Sequence, residues 1–163
     1  SATTRGMSLT LSQNLTALPL TYTLGATWMD VFLDEARVRA DLPFAPAFQG
    51  VANATLRLRT NWTVDYTMNL TGPMALPEYE APFERPTTSP TFSVHNVQVT
   101  RDIELPRGAL VQVYGPIENL FDYTQKAPLI DPGNPFGDRF DTAYVYGPLH
   151  GRCVGLGARL MLR

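Results

Sequence analysis

Residues 62–71 read WTVDYTMNLT, ten positions in which apolar and polar side chains alternate without a break. Successive side chains of a strand point to opposite faces. Trp62, Val64, Tyr66, Met68 and Leu70 therefore share one face, and Thr63, Asp65, Thr67, Asn69 and Thr71 the other. A helix cannot sustain a period of two, so this stretch commits its surroundings to a sheet with one apolar face. The pattern recurs. Met7, Leu9 and Leu11 oppose Ser8, Thr10 and Ser12, while Tyr22, Leu24, Ala26 and Trp28 oppose Thr21, Thr23, Gly25 and Thr27. Ala52, Ala54, Leu56 and Leu58 oppose Asn53, Thr55, Arg57 and Arg59. Near the chain end Val154, Leu156, Ala158, Leu160 and Leu162 oppose Cys153, Gly155, Gly157, Arg159 and Met161. With TFSVHNVQVTR at 91–101 and ALVQVYGPI at 109–117, the chain reads as about seven strands.

The connections have a rhythm. QNLTALP, the residues around 59–61 and DIELPRG are short. LDEARVRADLPFAPAFQ at 33–49, GPMALPEYEAPFERPTTSP at 72–90 and the stretch 118–150 break the alternation and read as long loops. Tight turns alternating with long loops are the pattern of an up-and-down membrane barrel; Greek-key sandwiches have no reason to keep it. Nearly all fourteen prolines fall in turns or loops, with Pro116 the exception near a strand end.

Composition removes several function classes. A net charge of -2 gives no electrostatic case for nucleic acid, and no Lys/Arg run marks a lipid-surface patch. A single cysteine, Cys153, leaves no disulfide framework, and with only His95 and His150 a Cys/His zinc site has no ligands to draw on. No run of 18 apolar residues exists for a spanning helix, whereas a strand barrel needs none. The opening SATTRGMSLT lacks the apolar segment of a signal peptide and reads as the middle of something longer.

One-faced strands serve either a soluble sheet or a barrel wall with lipid on one side and water on the other. Arg57, Arg59, Asp65, Asn69 and Arg159 all fall on the polar face. In a sandwich core unpaired charges cost several kcal/mol each, whereas a hydrated lumen accepts them at little cost. Trp28, near a strand end, and Trp62, at a strand start, stand where an aromatic girdle meets the membrane–water boundary. The fold expected is all-β, an antiparallel up-and-down transmembrane β-barrel wall. The alternatives are a soluble secreted sandwich that binds carbohydrate and a small complete outer-membrane barrel with an adhesive or structural role.

ENLFDYTQKAPLIDPGNPFGDRFDTAYVYGPLHGR at 118–152 resembles the last extracellular loop region of TonB-dependent outer-membrane receptors. The resemblance rests on Asn119, Leu120, Phe121 and Asp122 where a strand ends, and on Tyr146, Gly147, Pro148, Gly151 and Arg152 leading into the terminal strand. LPFAP at 42–46 and the Ser-Pro before Thr91 extend it upstream. It implies the last seven or so strands of a barrel of about twenty-two. It also implies energised uptake of a scarce nutrient, such as a metal-siderophore or cobalamin, across the outer membrane of a Gram-negative bacterium. The implied partners are a plug domain, TonB through an N-terminal segment, and outer-membrane lipid. The three long loops would face outside, and Arg57, Arg59, Asp65, Asn69 and Arg159 would face the lumen, where they could meet the plug. The ending Met161-Leu162-Arg163 departs from the aromatic residue usual in such barrels.

A wall of about seven strands leaves two edges of unpaired N–H and C=O groups, each costing several kcal/mol in hydrocarbon. The sum exceeds the ~5–15 kcal/mol of a typical domain, so the missing strands are expected from outside residues 1–163.

No catalytic constellation stands out: Gly-x-Ser-x-Gly, His-Glu-x-x-His and a phosphate-cradling glycine loop are all missing from the sequence. The reading is of a transporter segment and not an enzyme, without cofactor or metal. Asp131, Asn134, Asp138 and Asp141 lack calcium-loop spacing and read as Asx-turn residues. Asp30, Asp34 and Glu35 read as a solvated loop entrance, His95 as a polar wall residue and Cys153 as a small packing residue. Asn-x-Thr triplets at Asn14, Asn53, Asn61 and Asn69 arise from Thr-rich alternation.

Overall fold

The computed structural model describes residues 2–35 and 38–162, with the side chains of Ala2, Asp34, Glu35, Val38, Arg39 and Arg107 outside the described part. The chain is all-β: nine antiparallel strands in one sheet, and among the described residues no α-helix. The strands are β1 (Ala2–Leu15), β2 (Leu20–Glu35), β3 (Val38–Asp41), β4 (Phe48–Leu58), β5 (Trp62–Thr71), β6 (Phe92–Glu104), β7 (Leu110–Glu118), β8 (Cys153–Val154) and β9 (Gly157–Met161). They follow one another as a meander, β1-β2-β4-β5-β6-β7-β8, with β3 added to β2 and β9 to β7. The sheet is not closed, and there is no second sheet among the described residues. Neither the two-layer sandwich nor a complete small barrel describes this chain.

Nine segments make seven rows, because two strands are interrupted and each interruption has a proline behind it. β3 and β4 both pair β2, but six residues, 42–47, stand against only three of β2. Pro43 and Pro46 have no N–H for the ladder, so the strand bulges out there. The bulge bonds sideways instead, Phe44 N–H to Ala75 O at 2.9 Å and Ala47 N–H to Pro73 O at 3.1 Å. The expected loop at 33–49 is thus corrected: β2 runs on to Glu35 and pairs β3, and among the described residues of that stretch the irregular part is 42–47. In β7, Pro116 accepts from the Gly155 N–H at 2.9 Å but cannot donate in return, and the last row splits there into β8 and β9.

The pairing places every apolar set on one face. Leu11, Leu24, Ala52, Met68 and His95 stand in one row, and Leu20, Leu56, Val64, Val99 and Gly115 in another. On the last rows Val113 pairs Ala158, and Val111 pairs Leu160. Among the described residues no second sheet or helix covers this face. Met7 is 67% exposed, Leu9 65% and Leu160 59%.

Both ends of the sheet step in the same direction. β4 runs two residues past the Leu20↔Leu56 pair, and β6 three residues past Trp62↔Arg101. At the opposite end β6 starts at Phe92, while its pairing with β7 reaches only Val97. Such a one-way stagger is what strands tilted to a common axis require.

The tightest packing lies outside the sheet. Segments 72–91 and 119–152 fold together at the long-loop end around Met74, Leu76, Ile130 and Tyr144, with Tyr79, Phe83, Phe92 and Tyr146 against them. Ile130 is 1% exposed.

Candidate functional site: the polar face and the long-loop cap

The polar face is a set of short hydrogen-bonding side chains opposite one another across the strands. Ser8 and Thr27 hydroxyls meet at 3.0 Å, and Ser12 and Thr23 at 2.9 Å. Thr55 Oγ1 donates to Asp65 Oδ1 at 2.6 Å, Asn96 Nδ2 to Thr67 Oγ1 at 3.2 Å, and Gln112 Nε2 to Asp102 Oδ1 at 2.9 Å. Cross-strand partners of this kind come from the alternation itself, since directly opposed residues share a face. Arg57 stands opposite Thr63, Asp65 opposite Thr55, Asn69 opposite Val51, and Arg159 opposite Gln112. These four share one face. Arg59 does not: β4 ends at Leu58, and Arg59 lies in the turn before β5. Gly157, on the same face, leaves room for the Tyr114 ring, which a Cβ there would strike.

The apolar face carries aromatic groups near both ends. Trp28 packs on Phe48 with centroids 5.2 Å apart towards the long loops. Trp62, at the short-turn end, lies under the Arg101 guanidinium at 4.9 Å. Between them, Tyr66 OH and His95 Nδ1 are 2.7 Å apart, and His95 Nε2 and Ser93 Oγ 2.9 Å. His95 is thus a hydrogen-bonded polar residue of the sheet, beside Phe121 in an edge-on contact at 4.7 Å.

The two motif runs meet, although about thirty residues separate them. Asn119 and Asp122 have φ of 51° and 58°, the left-handed region that Asn and Asp tolerate better than most residues. Buried Asn119 accepts from the Tyr123 N–H at 3.0 Å and donates to Tyr123 O at 2.7 Å and His150 O at 3.1 Å. Its own N–H donates to Asn96 Oδ1 at 2.9 Å, tying the knot to β6. Asp122 Oδ1 accepts from the Arg152 N–H at 2.7 Å, above a Gly151 where a Cβ would clash with Asp122. Leu120 N–H donates to His95 O at 2.7 Å, while Phe121 stays exposed. The Tyr146 ring leans on Phe92, which stacks on Tyr123 at 5.2 Å, and the Gln125 N–H donates to Pro148 O. The motif is a clasp closing the base of the last loop.

Gln125 finishes the clasp, and nothing in the sequence marked it. Its Nε2 donates to Tyr144 O at 2.7 Å and its Oε1 accepts from the N–H groups of Tyr146 and Gly147 at 2.8 and 2.9 Å. A glutamine in an aperiodic loop carries no pattern to read.

A cleft of about 470 Å³ opens in the cap, lined by Tyr79, Phe83 and Phe140, with Glu78, Glu80 and Asp138 at its rim. Tyr79 OH donates to Asp141 Oδ2 at 2.6 Å, joining the two long segments. Burial pushes the Tyr79 phenol from 10.0 up to about 12, with the Asp141 hydrogen bond adding to it. Asp141 is held below the usual carboxylate range by the Tyr79 hydroxyl and the Ala143 N–H. Burial also raises Tyr123 and Tyr144. Among the described residues no group of three His, Cys, Asp or Glu is placed to hold a metal.

The folded Tyr79 keeps its proton beyond the unfolded value, so its contribution to the cap is complete below pH 10 and lost as pH rises through about 12. Asp141 acts at the other extreme: its contribution is present above its ordinary 3.8 and lost as pH falls through the lower folded value. Tyr79→Phe is expected to shrink the alkaline loss of near-ultraviolet circular dichroism, with the raised Tyr123 and Tyr144 keeping part of it. The acid limb is expected to shrink as well, because the Tyr79 hydroxyl is the largest cause of the lowered Asp141; two unchanged limbs would assign them elsewhere.

No protein-family model matches the chain, and no curated protein does.

Proposed function

We propose that this chain is a wall segment of a TonB-dependent outer-membrane receptor, a transporter part and not an enzyme. One observation carries the reading: the sheet buries neither of its faces, yet one is apolar across all seven rows and the other is hydrogen-bonded and polar. Lipid outside and water inside account for both faces at once. The dimensions agree. Phe48, beside Trp28, and Leu58, beside Trp62, lie ten residues apart on β4. At ~3.3 Å per residue and a tilt of about 40°, that spacing covers about 25 Å, the height of a barrel's apolar band. The one-way stagger of strand ends supports the tilt.

In this reading the cap faces the outside and contributes to capture of a metal-siderophore, cobalamin or similar nutrient. Arg57, Asp65, Asn69 and Arg159 look into the lumen towards a plug domain, through which TonB supplies energy. The unpaired edges of β1 and of β8 and β9 receive the remaining barrel strands. Among the described residues no helix is long and apolar enough to cross a membrane, which says nothing of crossing by strands.

Flotation of membranes from the source cells, combined with trypsin on intact cells, tests the placement. The chain is expected in the outer-membrane fraction, with cleavage in the cap at Arg85 or Arg139 and protection at Arg59. Recovery in a soluble fraction, or cleavage at Arg59 with the cap protected, would sink the reading. A deletion strain that takes up ferric chelates and corrinoids normally would remove the transport role.

A further inference from the structure

Charge on the apolar face is rare and stands near the two ends of the strands. Among the described strand residues of that face, the full charges are Arg5, Asp30, Asp41 (opposite Phe32) and Arg101. Arg5 stands directly opposite Asp30 on the β1–β2 ladder, at the long-loop end. Arg101 is at the other end, with Trp62 opposite it on one side and Val113 on the other. The neighbouring acids, Asp102 and Glu104, alternate onto the polar face, where Gln112 donates to Asp102. The Arg101 guanidinium lies over the Trp62 indole at 4.9 Å. Exposed Arg59 lies in the turn just before Trp62.

We propose that Arg101, held on Trp62, binds the phosphate of an anionic phospholipid at the short-turn end of the apolar face. The inference rests on the membrane reading above and adds a ligand to it. A guanidinium offers several donors in a fork matched to phosphate oxygens, and stacking on the indole fixes its direction. The indole sets the depth: it sits at the headgroup boundary, so the phosphate rather than the acyl chain meets the arginine. The missing counter-charge comes from the lipid.

The test uses the full chain in dodecyl maltoside with Trp28→Phe, which leaves Trp62 as the one tryptophan. Dihexanoyl-phosphatidylglycerol and dihexanoyl-phosphatidylcholine are titrated below their micellar concentrations while Trp62 fluorescence is read. Half-saturation is expected at an about fivefold lower concentration for phosphatidylglycerol, the contribution of one basic side chain at an anionic lipid surface. Arg101→Gln is expected to bring that ratio to about one, and Arg101→Lys to retain part of it as a point charge without the fork. An equal response to both lipids, a preference that survives Arg101→Gln, or the same shift with inorganic phosphate alone would overturn the assignment. Phosphatidylcholine brominated in its acyl chains separates the two levels. Quenching of Trp62 without a headgroup preference defeats the clamp and leaves the wall reading standing; no quenching defeats both.

Discussion

Leu24→Arg, made in the barrel completed by its remaining strands and held in lipid bicelles, is expected to destabilise it by about 2–4 kcal/mol, and Asn53→Arg by less than about 1 kcal/mol. Leu24 stands between Leu11 and Ala52 in the middle of the apolar band, four residues from Trp28. A guanidinium there must lie in hydrocarbon or drag water and headgroups towards it. Asn53 is its neighbour on the opposite face, exposed between Thr23 and Thr67, where a charge meets water. The two variants add the same side chain about one residue apart in height, so helix or strand propensity, length and net charge all cancel. Urea midpoints read by far-ultraviolet circular dichroism in bicelles would show the difference. Equal midpoints would mean that the two faces see the same solvent, and the wall reading would fall. In plain buffer the asymmetry should vanish, because both positions then face water.

The alternation made the sheet legible from sequence because period two has one structural meaning, and register then followed from it. Once Trp62 to Leu70 share a face, Leu58 and Arg101 must pair beside Trp62 for the apolar sets to stay together. What alternation could not convey was where the ladder stops. Pro43 and Pro46 read as loop markers, yet they interrupt a strand whose far part, β3, still pairs β2. Arg59 has the right parity for the polar face but lies past the last paired residue. Pro116 reads as a tolerated strand end and instead divides the terminal row. The cap was the least legible part, for a physical reason: Gln125, Tyr144 and Ile130 act through contacts made across long loops, and such contacts leave no periodic trace. Of the motif runs, sequence marked the residues but not their role as each other's partners.

Asn119→Ala is expected to loosen the cap by about 2–4 kcal/mol, and Asn119→Gly by about 1 kcal/mol less. Three side-chain hydrogen bonds end on this one amide, at Tyr123 N–H, Tyr123 O and His150 O. Removing it leaves part-buried backbone groups without their protein partners, and the desolvation adds to the loss of the bonds themselves. Alanine meets a second cost: φ is 51° here, a conformation in which its Cβ crowds the following carbonyl. Glycine escapes that crowding while losing the same hydrogen bonds, so the gap between the two variants isolates the backbone part. The aromatic contacts Phe92–Tyr123, Phe92–Tyr146 and Tyr79–Tyr144 give the cap its own near-ultraviolet signal, separable from the far-ultraviolet signal of the sheet. Both variants should lower the near-ultraviolet urea midpoint, alanine more, with the far-ultraviolet transition nearly unmoved. If alanine and glycine behave alike, the left-handed turn is not under strain. If neither shifts the midpoint, the cap is held by its apolar centre around Ile130, and Asn119 only trims the loop base.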